Sequence, residues 1–317
     1  MSTEGGAGPF NGTGKRFHGT FDAMAHTTGT ARSDDGVRLT YVDHGGDRGR
    51  DHAGDAGVGA GPGGGDAGAG ARRPVLLLHG LAGHAAEWDP LVRLLRPAHR
   101  VVAYDARGHG ASELRPADVS RAAHVRDVVA VAGHLALERP VLVGQSLGGH
   151  TAMLAAAAHP DVFSALVLIE AGPEGPSPEL PARIGGWLDS WPVPFASMEA
   201  ATAFFGGGTA GRAWAAGLAE HPDGLRPRVE REVMVACVAD NARRSFWDEW
   251  SRVRCPTLVV RGEAGSMPEA EAAAMRARRP GTELRVIPSA AHDVHLDQPE
   301  AVHEAIEAFL SRYDHLP

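Results

Sequence analysis

The sequence predicts an α/β fold: a mostly parallel sheet flanked by helices, with a helical segment inserted late in the chain. Three observations predict it. Short apolar runs rich in β-branched residues recur between longer helical stretches: Val75-Leu76-Leu77-Leu78, Val101-Val102-Ala103-Tyr104, Pro140-Val141-Leu142-Val143, Leu166-Val167-Leu168-Ile169 and Thr257-Leu258-Val259-Val260. That alternation marks parallel strands buried on both faces. Gly144-Gln145-Ser146-Leu147-Gly148 stands where one of these strands turns into a helix. Between 171 and about 250 a helical rhythm carrying Trp187, Trp191, Phe195, Phe204, Phe205, Trp214, Phe246, Trp247 and Trp250 replaces the alternation.

Taken in order, residues 1–30 are rich in glycine, threonine and other small residues and read as a flexible tail. From Asp34-Asp35-Gly36 the chain alternates, with Val37, Leu39 and Tyr41 on one face, which predicts a half-buried strand in a hairpin at the sheet edge. Residues 46–71 are mostly glycine, alanine and aspartate and cannot bury a core, so they read as a disordered insertion between two strands. Gly61-Pro62-Gly63-Gly64-Gly65 is not followed by the lysine or threonine that a phosphate-cradling loop needs. Helices are expected at Trp88–Leu95, Val119–Leu135, Leu147–Ala158, Pro268–Ala277 and Pro299–Ser311, and a last strand at Glu283–Ile287. The division that follows is a first core part at 31–170, an inserted helical segment at 171–250 and a second core part at 251–317.

Composition narrows the function. At 317 residues the chain can bury a full core. A net charge of -8 supplies no footprint for nucleic acid, and no lysine- or arginine-rich run suggests an anionic membrane surface. No apolar stretch is long enough to span a bilayer, and the N-terminus lacks a secretory apolar core, so a cytoplasmic protein is expected. Cys237 and Cys255 fit no metal-ligand spacing and read as free buried thiols. A small-molecule substrate is the expected partner, with neither cofactor nor metal; the sequence gives no oligomeric state.

The chemistry centres on Ser146. A serine at a tight strand-to-helix turn is held in a strained conformation with its hydroxyl turned away from the sheet. The following helix aims unpaired N–H groups at it, where they can hold a developing negative charge. A serine hydroxyl needs a base to take its proton. His292, in Ser289-Ala290-Ala291-His292-Asp293 after the last predicted strand, is the expected base. His295 and His303 are expected to be a loop neighbour and a residue of the last helix.

The serine turn, the His79-Gly80-Leu81 loop, the turn Asp105-Ala106-Arg107-Gly108-His109-Gly110 and the late His292 occur in an order that resembles the α/β-hydrolase superfamily, from about Asp35 to Tyr313. The resemblance implies a triad running serine, acid, histidine along the chain. Most relatives carry the acid as the aspartate of a G-E-x-D run; here Gly262-Glu263-Ala264-Gly265 puts Gly265 in that place. Some relatives carry it at the end of the preceding strand, where this chain has Glu170. Glu170 is therefore the expected acid and Glu263 the runner-up; a third reading has no effective acid, with Ser266 or a water orienting His292. The resemblance also implies an oxyanion hole from the backbone N–H groups of Leu81 and Leu147, an architectural role for Asp105, Arg107 and His109, and a lid formed by the 171–250 segment. His84, Trp88, Trp187 and Trp214 are candidate substrate contacts, with a simple loop hydrogen bond the favoured reading for His84. The implied activity is hydrolysis of an ester, thioester or lactone of a moderately sized apolar molecule. The alternatives are a carbon–carbon hydrolase, cofactor-free oxygenase, perhydrolase or cyclase on the same fold, or a receptor with little turnover. Epoxide hydrolases and dehalogenases are disfavoured, because they carry aspartate where Ser146 stands.

Overall fold

The structure, a computed structural model, describes residues 26–46 and 72–313. Most of the expected tail and the expected insertion at 46–71 lie outside the described residues. The strands in chain order are β1 (Thr27–Arg32), β2 (Arg38–Asp43), β3 (Val75–Leu78), β4 (Val101–Tyr104), β5 (Val141–Gln145), β6 (Ala165–Ile169), β7 (Leu218–His221), β8 (Gly224–Pro227), β9 (Thr257–Gly262) and β10 (Glu283–Ile287). Eight of them form one sheet in the order β1-β2-β4-β3-β5-β6-β9-β10, parallel from β4 to β10. β1 corrects the boundary of the expected tail. Thr27–Thr30 pair antiparallel with residues 40–43 of β2, and their polar side chains suit an edge strand open to water.

The helices are α1 (Asp89–Leu95), α2 (Arg121–His134), α3 (Ser146–Ala158), α4 (Leu180–Asp189), α5 (Met198–Phe204), α6 (Gly208–Ala216), α7 (Arg231–Cys237), α8 (Ala239–Arg243), α9 (Trp247–Arg252), α10 (Glu269–Arg278), α11 (Val294–Asp297) and α12 (Pro299–Leu310). Successive strand residues point to opposite faces, and each face builds its own core. Leu76, Leu78, Leu142, Leu166, Leu168 and Val259 pack with α2, α3 and Trp250. Leu77, Val143, Val167, Leu258 and Val260 pack with α1, α12 and Trp88 on the other face. Trp191, Phe195, Ala215 and Leu218 form a third, smaller core within the inserted segment, while Phe246 and Trp250 join the sheet core. The segment is not wholly helical as expected: β7 and β8 pair as an antiparallel ribbon.

The turn after β4 is a brace. The Asp105 carboxylate accepts from the Ala85 N–H at 2.7 Å and the Ala111 N–H at 2.8 Å. Arg107 is fully buried and donates twice to Asp127 on α2, each bond at 2.6 Å, and to Asp35 at 2.8 Å. This charge-assisted fork ties the edge hairpin to α2. Both cysteines are free and buried, and burial pushes each thiol up to about 11.

Glu271 on α10 gives a first prediction. It is buried and accepts from the Glu174 N–H at 2.9 Å. Burial pushes its carboxyl up to about 7, with the nearby charges of Glu174 and Glu170 adding to the rise. The folded chain therefore keeps a proton that the unfolded chain releases between about pH 4.5 and 7, so this group makes stability fall as pH rises through that window. Glu271→Gln keeps the accepting oxygen and removes the charge. Stability at pH 7.5 should rise by on the order of 1–3 kcal/mol, with little change at pH 4.5. Urea unfolding at the two pH values checks it, and an equal effect at both would rule it out.

Candidate active site

β5 runs into α3 through Gln145 and Ser146, and Ser146 takes a φ of +50°, in the left-handed region that side chains avoid. The turn closes only because its flanks are glycine. A Cβ on Gly144 would lie 2.6 Å from the Gly148 carbonyl, and one on Gly148 would overlap the Leu78 and His79 carbonyl oxygens. Leu147 is the second residue of α3, so its N–H is among those that no carbonyl of the helix can accept. Leu81 follows Gly80 in the loop after β3 and lines the same cavity as Ser146.

His292 lies between β10 and α11, with its side chain 42% exposed. Ser146 and His292 line one cavity of about 440 Å³, shared with Leu81, Ile184, Trp187, Phe204, Phe205 and Trp214. Glu170 follows β6 with a φ of +50°, and its side chain is fully buried. Its Oε1 accepts from the Gly262 N–H at 2.8 Å, and its Oε2 from the N–H groups of Ser266 at 2.6 Å and Met267 at 2.9 Å. Burial alone would raise this carboxyl; the bonds from His292, Met267 and Gly262 outweigh it and hold it below the ordinary carboxylate range. The His292 Nδ1 lies 3.5 Å from Oε2 and 2.7 Å from the Ser266 hydroxyl, which is itself 3.2 Å from Oε2. Gly265, in the place of the commoner acid, has no room for a side chain, because a Cβ there would overlap the Glu170 carboxylate.

Glu263 is elsewhere: its Oε2 accepts from the Ser289 N–H at 3.0 Å. Of the expected substrate contacts, Trp187 and Trp214 line the cavity. His84 and Trp88 do not, which corrects the expectation for Trp88. The His84 Nε2 is bonded to the Ala213 carbonyl at 2.9 Å, linking its loop to α6. Trp88 is fully buried, 4.3 Å from the ring of His295, because its loop turns it inward against α11. His295 is accordingly a buried helix residue rather than a loop neighbour.

Two polar residues of the site carried no separate signal in the sequence. The Asp293 Oδ2 accepts from the Trp214 indole N–H at 2.8 Å, and its Oδ1 from the Gln145 side-chain amide at 3.3 Å. The Gln145 amide also donates to the His292 carbonyl at 3.1 Å. Gln145 immediately precedes Ser146 and Asp293 follows His292, so adjacency to the two candidate residues was the signal available. A second cavity, of about 230 Å³, lies at the other end of the strands, beside Val141 and Ala165, and shares no residue with this one. Among the described residues no cluster of three or more histidine, cysteine or carboxylate side chains could hold a metal ion, and no helix is long and apolar enough to cross a membrane.

Comparison with known proteins agrees with this architecture. The 2-(acetamidomethylene)succinate hydrolase of Mesorhizobium japonicum is 30% identical over 244 residues, covering 74% of this chain and 87% of that protein. The crystal structure of E-2-(acetamidomethylene)succinate hydrolase superposes with a TM-score of 0.73 at 24% identity, over 90% of this chain and 100% of that one. That of an alpha/beta hydrolase from Novosphingobium aromaticivorans gives 0.70 at 27% identity, over 90% and 98%. The model of the alpha/beta hydrolase family matches residues 75–305. On the sheet order, the strained serine turn and this match, the chain belongs to the alpha/beta hydrolase family.

Proposed function

We propose that the protein is a serine hydrolase that cleaves an ester, thioester or lactone of a moderately sized, apolar small molecule through an acyl-enzyme. The observation that carries this reading is the strained Ser146 sharing one cavity with His292, whose Nδ1 faces a buried carboxylate and its hydroxyl neighbour. In this reading the Ser146 oxygen attacks the carbonyl carbon while the His292 Nε2 takes its proton. The tetrahedral oxyanion is held by the Leu81 and Leu147 amides. His292 then returns the proton to the leaving oxygen or sulfur, and water repeats the sequence to free the acid. Glu170 keeps the imidazole in the orientation that presents Nε2 to Ser146. The segment carrying Trp187, Phe204, Phe205 and Trp214 acts as the lid and supplies the apolar wall.

In this reading the substrate differs from that of the relative, and the lining of the cavity supports the difference. That relative's name specifies a succinate, a dicarboxylic acid. Among the described residues, those around the cavity include no lysine or arginine, and Asp293 brings a carboxylate. A second substrate carboxylate would enter without a counter-ion. The test is a series of p-nitrophenyl esters of increasing acyl length run beside the hemisuccinate ester. Neutral acyl groups should be favoured over succinyl by at least about tenfold in kcat/KM, the minimum expected for one unpaired buried charge. A preference for the hemisuccinate would reject the substrate class. Failure both to turn over any ester, thioester or lactone and to react with a serine-directed fluorophosphonate would reject the hydrolase itself.

A further inference from the structure

The Glu170 carboxylate stands back from His292, held by three backbone amides. A carboxylate offers about four lone-pair sites on its two oxygens. Oε1 takes the Gly262 amide, and Oε2 takes the two short bonds from the Ser266 and Met267 amides. The Nδ1 of His292 reaches Oε2 only at 3.5 Å, the outer limit of a hydrogen bond. The Ser266 hydroxyl is far better placed, at 2.7 Å from Nδ1 and 3.2 Å from Oε2. It stands between a fully buried carboxylate and a partly exposed imidazole.

We propose that Ser266 is a positioning residue, an interposed hydroxyl through which Glu170 fixes the tautomer and orientation of His292. This rests on the reading of Ser146 and His292 given above. A hydroxyl has one proton to donate. Between a carboxylate and a neutral ring nitrogen, that proton goes to the carboxylate. The oxygen lone pairs are then left to accept from Nδ1–H. This leaves Nε2 unprotonated, the state a base needs to take the Ser146 proton. No proton travels along the chain during the reaction: Nδ1 keeps its hydrogen throughout, and the Ser266 hydrogen stays on its own oxygen. Glu170 cannot take over the contact when the hydroxyl is removed, because three backbone amides from the 262–267 turn hold it in place. Gly265 belongs to the same arrangement, since a side chain there would displace the carboxylate that orients Ser266.

Two measurements that need no substrate test it. The first is the second-order rate at which a fluorophosphonate labels Ser146 at neutral pH. The second is nitrogen-15 NMR of the His292 ring, which reads the tautomer directly. Wild type should show the Nδ1–H tautomer. Ser266→Ala should label roughly 10- to 100-fold more slowly, the range for losing one charge-assisted hydrogen bond. It should also lose the single tautomer. Ser266→Thr keeps the hydroxyl and should stay within about threefold of wild type, a change below the value of one such bond. An unlabelled wild type would overturn the hydrolase reading. A labelled wild type whose Ser266→Ala variant matches it in rate and tautomer would overturn the interposed hydroxyl alone, as would a threonine variant as impaired as the alanine one.

Discussion

Replacing Ser146 by alanine should lower turnover by roughly four to six orders of magnitude while the protein stays folded, the usual range for losing a nucleophilic serine. The change removes one oxygen from a side chain that faces the cavity, so no core contact is lost. The backbone at this position has a φ of +50°, and alanine tolerates that conformation no worse than serine does. What remains in the variant is the pair of amides at Leu81 and Leu147 and the apolar cavity. In the proposed mechanism these still bind an ester and polarise its carbonyl, but they offer no attacking atom. Steady-state kinetics on the best ester of the series, with circular dichroism and thermal unfolding as controls, makes the comparison. Residual turnover within about tenfold of wild type would mean that water, activated by His292, is the attacking group. A companion variant separates strain from chemistry. Ser146→Gly relieves the left-handed backbone, so it should be equally inactive and more stable by on the order of 1 kcal/mol. A rise in stability on removing a reactive side chain is expected where strain is stored for function.

The sheet was legible because fully buried parallel strands have a loud signature. Val75–Leu78, Val101–Tyr104 and Leu166–Ile169 are apolar at every position, and each lies in the sheet. Ser146 was legible because the two glycines flanking its turn are sterically required, and a steric requirement survives in a single sequence. β1 was hidden for the opposite reason: Thr27–Arg32 gains its order by pairing with β2, and little in its polar residues announces that. β7 and β8 were hidden within helical neighbours, because a four-residue strand has no period long enough to read. Side-chain direction was the least legible property. Trp88 and Trp214 both read as aromatics near the site, yet one is locked beneath His295 and the other lines the cavity through its bond to Asp293. Their difference is set by α11 and the residue before it: His295 covers Trp88 and Asp293 holds Trp214, both remote in sequence from the ring they position. The Ser266 geometry depends in the same way on where the 262–267 turn places three backbone amides, which residue identity alone does not specify.

Glu170→Gln should cut turnover by roughly two to four orders of magnitude, as expected when the acid partner of a catalytic histidine is neutralised. The structure adds a cost in stability. The carboxylate serves three backbone amides, and glutamine presents only one oxygen, so its amino group must face at least one N–H it cannot accept from. A buried donor left unmet costs about 1–3 kcal/mol. The pH dependence follows from the lowered carboxyl of Glu170. Its stabilising contribution is complete above the ordinary carboxylate range and is lost as pH falls through the lowered value. The gap between wild type and Glu170→Gln should therefore be full at neutral pH and close in acid. The mutual exclusion of Glu170 and a side chain at 265 permits a sharper test. Gly265→Asp alone should be damaging, because its Cβ overlaps the Glu170 carboxylate. Glu170→Gly removes that obstacle, and glycine accepts the left-handed backbone at this position without strain. The double variant Glu170→Gly/Gly265→Asp should then move the acid to the neighbouring strand and exceed both single variants in kcat by about tenfold or more, the least that a restored charge-assisted bond to His292 would give. If Glu170→Gln keeps nearly full activity, His292 needs no acid at all. If that variant is impaired and the double variant recovers nothing, the carboxylate holds up the 262–267 turn and does not orient the ring.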